Sequence, residues 1–149
     1  MKHIKLDKYI EYPVGQNIVK NLPAIFDMAD LILAEYSYQN IRLWCRGSSG
    51  AIIAGIISSI IISRSNFKVE VCHVKKEKED SHSYQSIYFD SYNNYVEIIV
   101  DDFIASGKTV EAIIEKMNSY NIVPNCLCVT NGVPRDFGVE TYICKNIEF

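Results

Sequence analysis

The stretch Val96-Glu97-Ile98-Ile99-Val100-Asp101-Asp102-Phe103-Ile104-Ala105-Ser106-Gly107-Lys108-Thr109-Val110 limits what this chain can fold into more than any other. Its apolar run reads as a buried parallel strand that ends in two adjacent carboxylates, Asp101 and Asp102. A short loop of small and hydroxyl residues follows, and then a helical pattern. Open α/β sheets bind ligands just beyond the carboxyl ends of their strands, so the acidic pair sits where chemistry is expected. Residues Ala105, Ser106, Gly107, Lys108 and Thr109 add backbone N–H groups and a helix N-terminus, which favour an anion. Carboxylates suit sugar hydroxyls or a metal, and amides suit phosphate. Together they point to a sugar phosphate.

A rival motif fails on spacing. Ser106-Gly107-Lys108-Thr109 ends like a P-loop, which needs a glycine five residues before Gly107, but that position is Asp102. A carboxylate there repels phosphate. An ordinary strand-to-helix turn is also disfavoured, because two adjacent acids after a buried strand repel each other and raise the cost of folding.

The rest of the chain reads as strands alternating with helices, the pattern of a mainly parallel sheet flanked by helices. Strands are expected near residues 3–6, at 41–45, 69–74 and 87–89, from Val96 to the acidic pair, and at 126–130 and 139–144, with turns at 13–15 and 92–94. Helices are expected over 17–36, with Pro23 as a kink or a start, over 49–63 and over 107–120. The 49–63 helix is apolar almost all round, so burial is expected. Its core, 51–62, is well short of the roughly 20 residues that a membrane span needs. A length of 149 residues suits one domain, 1–149. The net charge of −3 gives no electrostatic case for nucleic-acid or membrane binding. Cys45, Cys72, Cys126, Cys128 and Cys144 lie in or beside apolar runs and read as buried free thiols of a reducing cytoplasm. No signal core opens the sequence, and His3, His73 and His82 show no metal-ligand spacing.

A second strand, Ile41-Arg42-Leu43-Trp44-Cys45, runs into Arg46-Gly47-Ser48-Ser49-Gly50 and a helix. The glycines permit close backbone approach, the helix start offers free N–H groups and Arg46 adds a cation, a set that suits a diphosphate. An alternative is a plain turn with Arg46 solvated.

The stretch VEIIVDDFIASGKTV resembles the diphosphate-sugar signature of type I phosphoribosyltransferases, with Glu97 where the strand is usually apolar and Phe103 bulkier than usual. Cys45-Arg46-Gly47-Ser48 is similar to the pyrophosphate loop of the hypoxanthine-guanine type. The resemblance covers about residues 41–130 and implies an α/β phosphoribosyltransferase-like fold with a minimal hood. It implies binding of 5-phosphoribosyl 1-diphosphate with Mg²⁺ and transfer of the phosphoribosyl group to a nitrogen nucleophile, releasing diphosphate. By the same resemblance Asp101, Asp102 and Arg46 are catalytic, and the two acids hold Mg²⁺ directly or through water. Residues Ala105 to Thr109 hold the 5-phosphate, and Cys45 to Ser48 hold the diphosphate.

On charge alone Lys75-Lys76-Glu77-Lys78-Glu79-Asp80-Ser81-His82-Ser83-Tyr84 is a solvated loop; the resemblance makes it a lid, with Ser83 and Tyr84 against the diphosphate. Ala105 stands where 6-oxopurine enzymes carry an aspartate, and Thr130-Asn131 where they carry a lysine, so the acceptor is left open. The hood that binds it falls to residues 1–15, the tail or a partner, and relatives of this type often form homodimers. A non-catalytic member that binds the sugar diphosphate or a nucleotide is the alternative.

Overall fold

The computed structural model describes residues 18–37, 39–76 and 95–144. The expected opening strand, the turns at 13–15 and 92–94, the hood segment 1–15, the strand at 87–89, and Ser83 and Tyr84 of the lid all lie outside the described residues. Five strands and three helices follow in the order α1 (Ile18–Glu35), β1 (Asn40–Cys45), α2 (Gly47–Arg64), β2 (Val69–His73), β3 (Tyr95–Ile104), α3 (Lys108–Ser119), β4 (Cys126–Gly132) and β5 (Glu140–Ile143). The strands form one sheet in the order β2-β1-β3-β4-β5, and every neighbouring pair is parallel.

Each strand alternates its side chains between two cores, which is why the central strands read as nearly continuous apolar runs. Ile41, Leu43, Val96, Ile98, Val100, Cys126 and Cys128 pack under α1 and α2. Trp44, Ile99, Leu127, Val129 and Ile143 pack on the other face with Val110, Ile113 and Met117 of α3. All five cysteines are buried free thiols. Pro23 lies inside α1, whose first residue is Ile18, so it is not the helix start. Helix α2 buries Gly50, Ile53, Ala54, Ile57, Ile60 and Ile61, whereas Ile62 is 54% exposed; one side, not the whole circumference, is covered. With 18 residues, α2 is long and apolar enough by composition to cross a membrane, but its buried stripe meets α1 and the sheet.

One expectation needs correction on β3. The strand does not end at the acidic pair: it continues to Ile104, because β4 runs on beside it and pairs Phe103 with Asn131 and Ile104 with Gly132. Asp101 and Asp102 therefore lie inside the strand's last turn of pleat, 5% and 8% exposed. Glu97, the charged residue in an apolar strand, is also buried, and it has partners. Arg42 stands directly opposite it on β1 and donates from Nη1 to Glu97 Oε1 at 2.5 Å. Trp44 Nε1 donates to the other oxygen at 2.6 Å. Arg42 is itself flanked by Glu70 of β2 at 3.0 Å and stacks over the Tyr95 ring at 4.3 Å. Burial pushes the Glu97 carboxyl above its usual range, and the Trp44 and Arg42 bonds pull it back.

This cluster has an unequal distribution of risk. Removing Glu97 strips a buried guanidinium of one partner and a buried indole N–H of its acceptor. Glu70 is more exposed, and its loss lets water replace it. Glu97→Ala is expected to lower unfolding free energy by about 3 kcal/mol or more, and Glu70→Ala by about 1 kcal/mol or less. Urea midpoints at constant slope measure both, and equal losses would contradict this ranking.

Candidate active site

The strand order reverses direction between β1 and β3. From β1 the chain passes through α2 outward to β2, and from β3 it passes through α3 outward to β4. The helices leave on opposite faces, so a crevice opens between the carboxyl ends of β1 and β3, as the switch-point rule requires. A cleft of about 300 Å³ occupies this place, with the loop after β1 on one side, the loop after β3 on the other and Asp101 and Asp102 between them.

The loop after β1 is shaped by backbone conformation. Arg46 is extended (φ −146°, ψ 141°), and Gly47 then turns left-handed at φ +78°, a conformation that disfavours any side chain. Arg46, the N-cap residue of α2, makes no side-chain capping bond to the first turn of the helix. Arg46 Nε is buried without a hydrogen-bond partner, as expected of a donor whose acceptor is a bound anion. Asp101 Oδ1 lies 3.7 Å from where a Cβ on Gly50 would be, so the acid abuts the positive end of α2.

On the other side Gly107 adopts φ +83° at the N-cap of α3 and has no side chain to cap it. Ser106 Oγ accepts the Lys108 N–H at 3.3 Å, which leaves the hydroxyl proton free to be donated. Between the loops, the Asp102 N–H donates to Asp101 Oδ1 at 2.8 Å, and Thr130 Oγ1 donates to the Asp102 carbonyl at 2.6 Å. Burial, and then the neighbouring Asp102, pushes the Asp101 carboxyl up to about 8, against the pull of Lys76. Two crowded acids with too little positive charge nearby suit a divalent cation. Among the described residues no three His, Cys, Asp or Glu side chains group to cage a metal. Asp101 and Asp102 are the carboxylates of the cleft that could hold a divalent cation.

Arg46, Gly47, Ser48, Asp101, Asp102, Ala105, Ser106, Gly107, Lys108 and Thr109 all line the cleft. Cys45 does not. Its side chain is fully buried behind the loop, its carbonyl accepts the Val74 N–H at 2.8 Å, and burial followed by Asp101 pushes its thiol up to about 12. Lys76 also lines the cleft, a role its sequence position in a mixed-charge run concealed; the usable signal is that it follows β2 at the sheet's carboxyl edge. Arg135 and Phe137, from the connection between β4 and β5, pack on Gly107, and neither was marked by a motif.

No protein-family model matches the sequence, and no curated protein sequence is significantly similar to it. Solved structures do match. The adenine phosphoribosyltransferase of Thermoanaerobacter pseudethanolicus superposes with a TM-score of 0.65 at 15% identity, covering 91% of this chain and 85% of that one. The purine phosphoribosyltransferase of Pyrococcus horikoshii gives 0.58 at 21% identity over 99% and 90%. The adenine phosphoribosyltransferase of Trypanosoma brucei, solved with AMP, pyrophosphate and ribose-5-phosphate, gives 0.63 at 15% identity over 89% and 68%. The fold of this chain is that of the type I phosphoribosyltransferases, as its two motifs led one to expect.

The acidic pair carries a pH signature. Asp101 holds a proton in the native chain that an unfolded aspartate, at 3.8, releases. Its contribution to stability is full below that value and is lost as pH rises toward about 8. In chelating buffer the melting temperature should therefore fall between about pH 5 and pH 8, and Asp101→Asn should flatten that slope. Parallel slopes in wild type and variant would contradict the assignment.

Proposed function

We propose that this protein is a Mg²⁺-dependent phosphoribosyltransferase that moves the phosphoribosyl group of 5-phosphoribosyl 1-diphosphate onto a nitrogen of a nucleobase-like acceptor. One observation carries the reading: two loops that each lead into a helix N-terminus face each other across a buried acidic pair in a single cleft. A donor with a phosphate at one end, a diphosphate at the other and ribose hydroxyls between them matches that order of charges.

The amides of residues 105–109, with the Ser106 and Thr109 hydroxyls, hold the 5-phosphate. Arg46 and the Gly47 and Ser48 amides hold the diphosphate, with Lys76 as a further cation on that side. Asp101 and Asp102 take the ribose hydroxyls and Mg²⁺. When bound, Mg²⁺ neutralises charge on the leaving diphosphate. The C1–O bond breaks with its electron pair leaving on diphosphate, and the acceptor nitrogen's lone pair forms the C1–N bond. Charge at C1 resembles an oxocarbenium ion, and buried carboxylates favour that positive charge over the neutral ground state. Thr130 and Asn131, which stand where 6-oxopurine enzymes carry a lysine, are turned inward: Asn131 Oδ1 accepts the Gly132 N–H at 2.9 Å and Thr130 Oγ1 donates to the Asp102 carbonyl at 2.6 Å.

Labelled sugar diphosphate, Mg²⁺ and a panel of nucleobases test the proposal. Diphosphate release is expected to depend on one acceptor, and Asp101→Asn with Asp102→Asn is expected to lower turnover about 100-fold or more. Absence of saturable donor binding, or full turnover in the double variant, would sink it. Tight donor binding with no turnover on any base would replace it with the non-catalytic reading.

A further inference from the structure

The connection between β4 and β5, residues 133–139, plays no part in the mechanism above, yet it is built onto the phosphate loop. The Val133 N–H donates to the Ile104 carbonyl at 3.0 Å, which ties the start of the connection to the root of that loop. Arg135 Nε donates to the Ala105 carbonyl at 2.8 Å. A Cβ added to Gly107 would lie 3.3 Å from Arg135 Cδ and 3.0 Å from the Phe137 ring, so both side chains rest on the turn. The end of β3 and the loop after it are thus held at Ile104, Ala105 and Gly107 by this connection.

The bond to Ala105 has a directional consequence. A trans peptide points its C=O and N–H to opposite sides. With the Ala105 carbonyl held by Arg135, the N–H of the same peptide, which belongs to Ser106, is held facing away from Arg135. A bond from a cation also polarises the peptide and makes that N–H a stronger donor. A loop fixed beforehand loses less entropy when an anion binds.

We propose that Arg135 is a positioning residue for the sugar 5-phosphate: it pins the Ala105–Ser106 peptide so that the Ser106 N–H is preset for the phosphate. The inference rests on the phosphoribosyl reading of the cleft. Arg135 acts here through Ala105 and need not touch the substrate. A lysine at this position keeps the charge but lacks the fixed guanidinium fork.

Calorimetric titrations of the full chain with ribose 5-phosphate and, separately, with inorganic diphosphate test it. Arg135→Ala is expected to weaken ribose 5-phosphate binding about 10- to 100-fold and to leave diphosphate binding within about twofold. Arg135→Lys is expected to recover little of the loss. Unchanged ribose 5-phosphate binding in Arg135→Ala, an equal loss for both ligands, or full recovery by lysine would each overturn the inference while the cleft reading stands. Failure of the wild-type protein to bind ribose 5-phosphate would overturn the cleft reading and this inference with it.

Discussion

The Glu97 carboxylate, clamped between Arg42 and Trp44, is the interaction on which the site depends. Both donors are on β1 and the acceptor is on β3, so the bond crosses the point where the sheet's strand order reverses. Arg42 and Glu97 are level in the parallel register, and Arg46 and Asp101 each follow four residues later. At about 3.3 Å per residue the clamp sits roughly 13 Å below the chemistry on both strands. A slip of β1 against β3 would carry the Arg46 loop away from the acids, and the buried ion pair with its indole partner resists that slip. An apolar pair would hold the strands together without fixing their level, because any residue of similar size could fill it.

Above the clamp, the topology separates charge. Helix α2 leaves β1 on one face and α3 leaves β3 on the other, so two helix N-termini point at one crevice from opposite sides. The acids are left between them, buried. Burial, and then the neighbouring Asp102, holds the Asp101 proton against the pull of Lys76. Thr130 and Asn131, on β4 beside the acids, use their side-chain oxygens inside the protein.

Much of this was legible from residues alone, and for a physical reason. The apolar runs at 41–45, 96–100 and 126–129 are buried on both faces, so they announce parallel strands, and Gly47 and Gly107 mark turns that both prove left-handed. The motifs therefore led to ten of the cleft's residues. What stayed hidden depends on pairing. Glu97 reads as a misfit until Arg42 is seen opposite it, and the extent of β3 past Asp102 depends on how far β4 accompanies it. Arg135 reaches its carbonyl thirty residues away, a distance no local pattern encodes. Cys45 was assigned to the diphosphate by its place in a motif, but the side chain turns into the core.

The central claim is that one donor spans both loops with its ribose on the acidic pair. A crystal structure of the chain with 5-phosphoribosyl 1-diphosphate and Mg²⁺ tests that claim most directly. The account predicts the diphosphate against Arg46, Gly47 and Ser48, the 5-phosphate against residues 105–109, and the ribose hydroxyls or Mg²⁺ at Asp101 and Asp102. Density for the donor outside this cleft, or with the ribose turned away from both carboxylates, would contradict it.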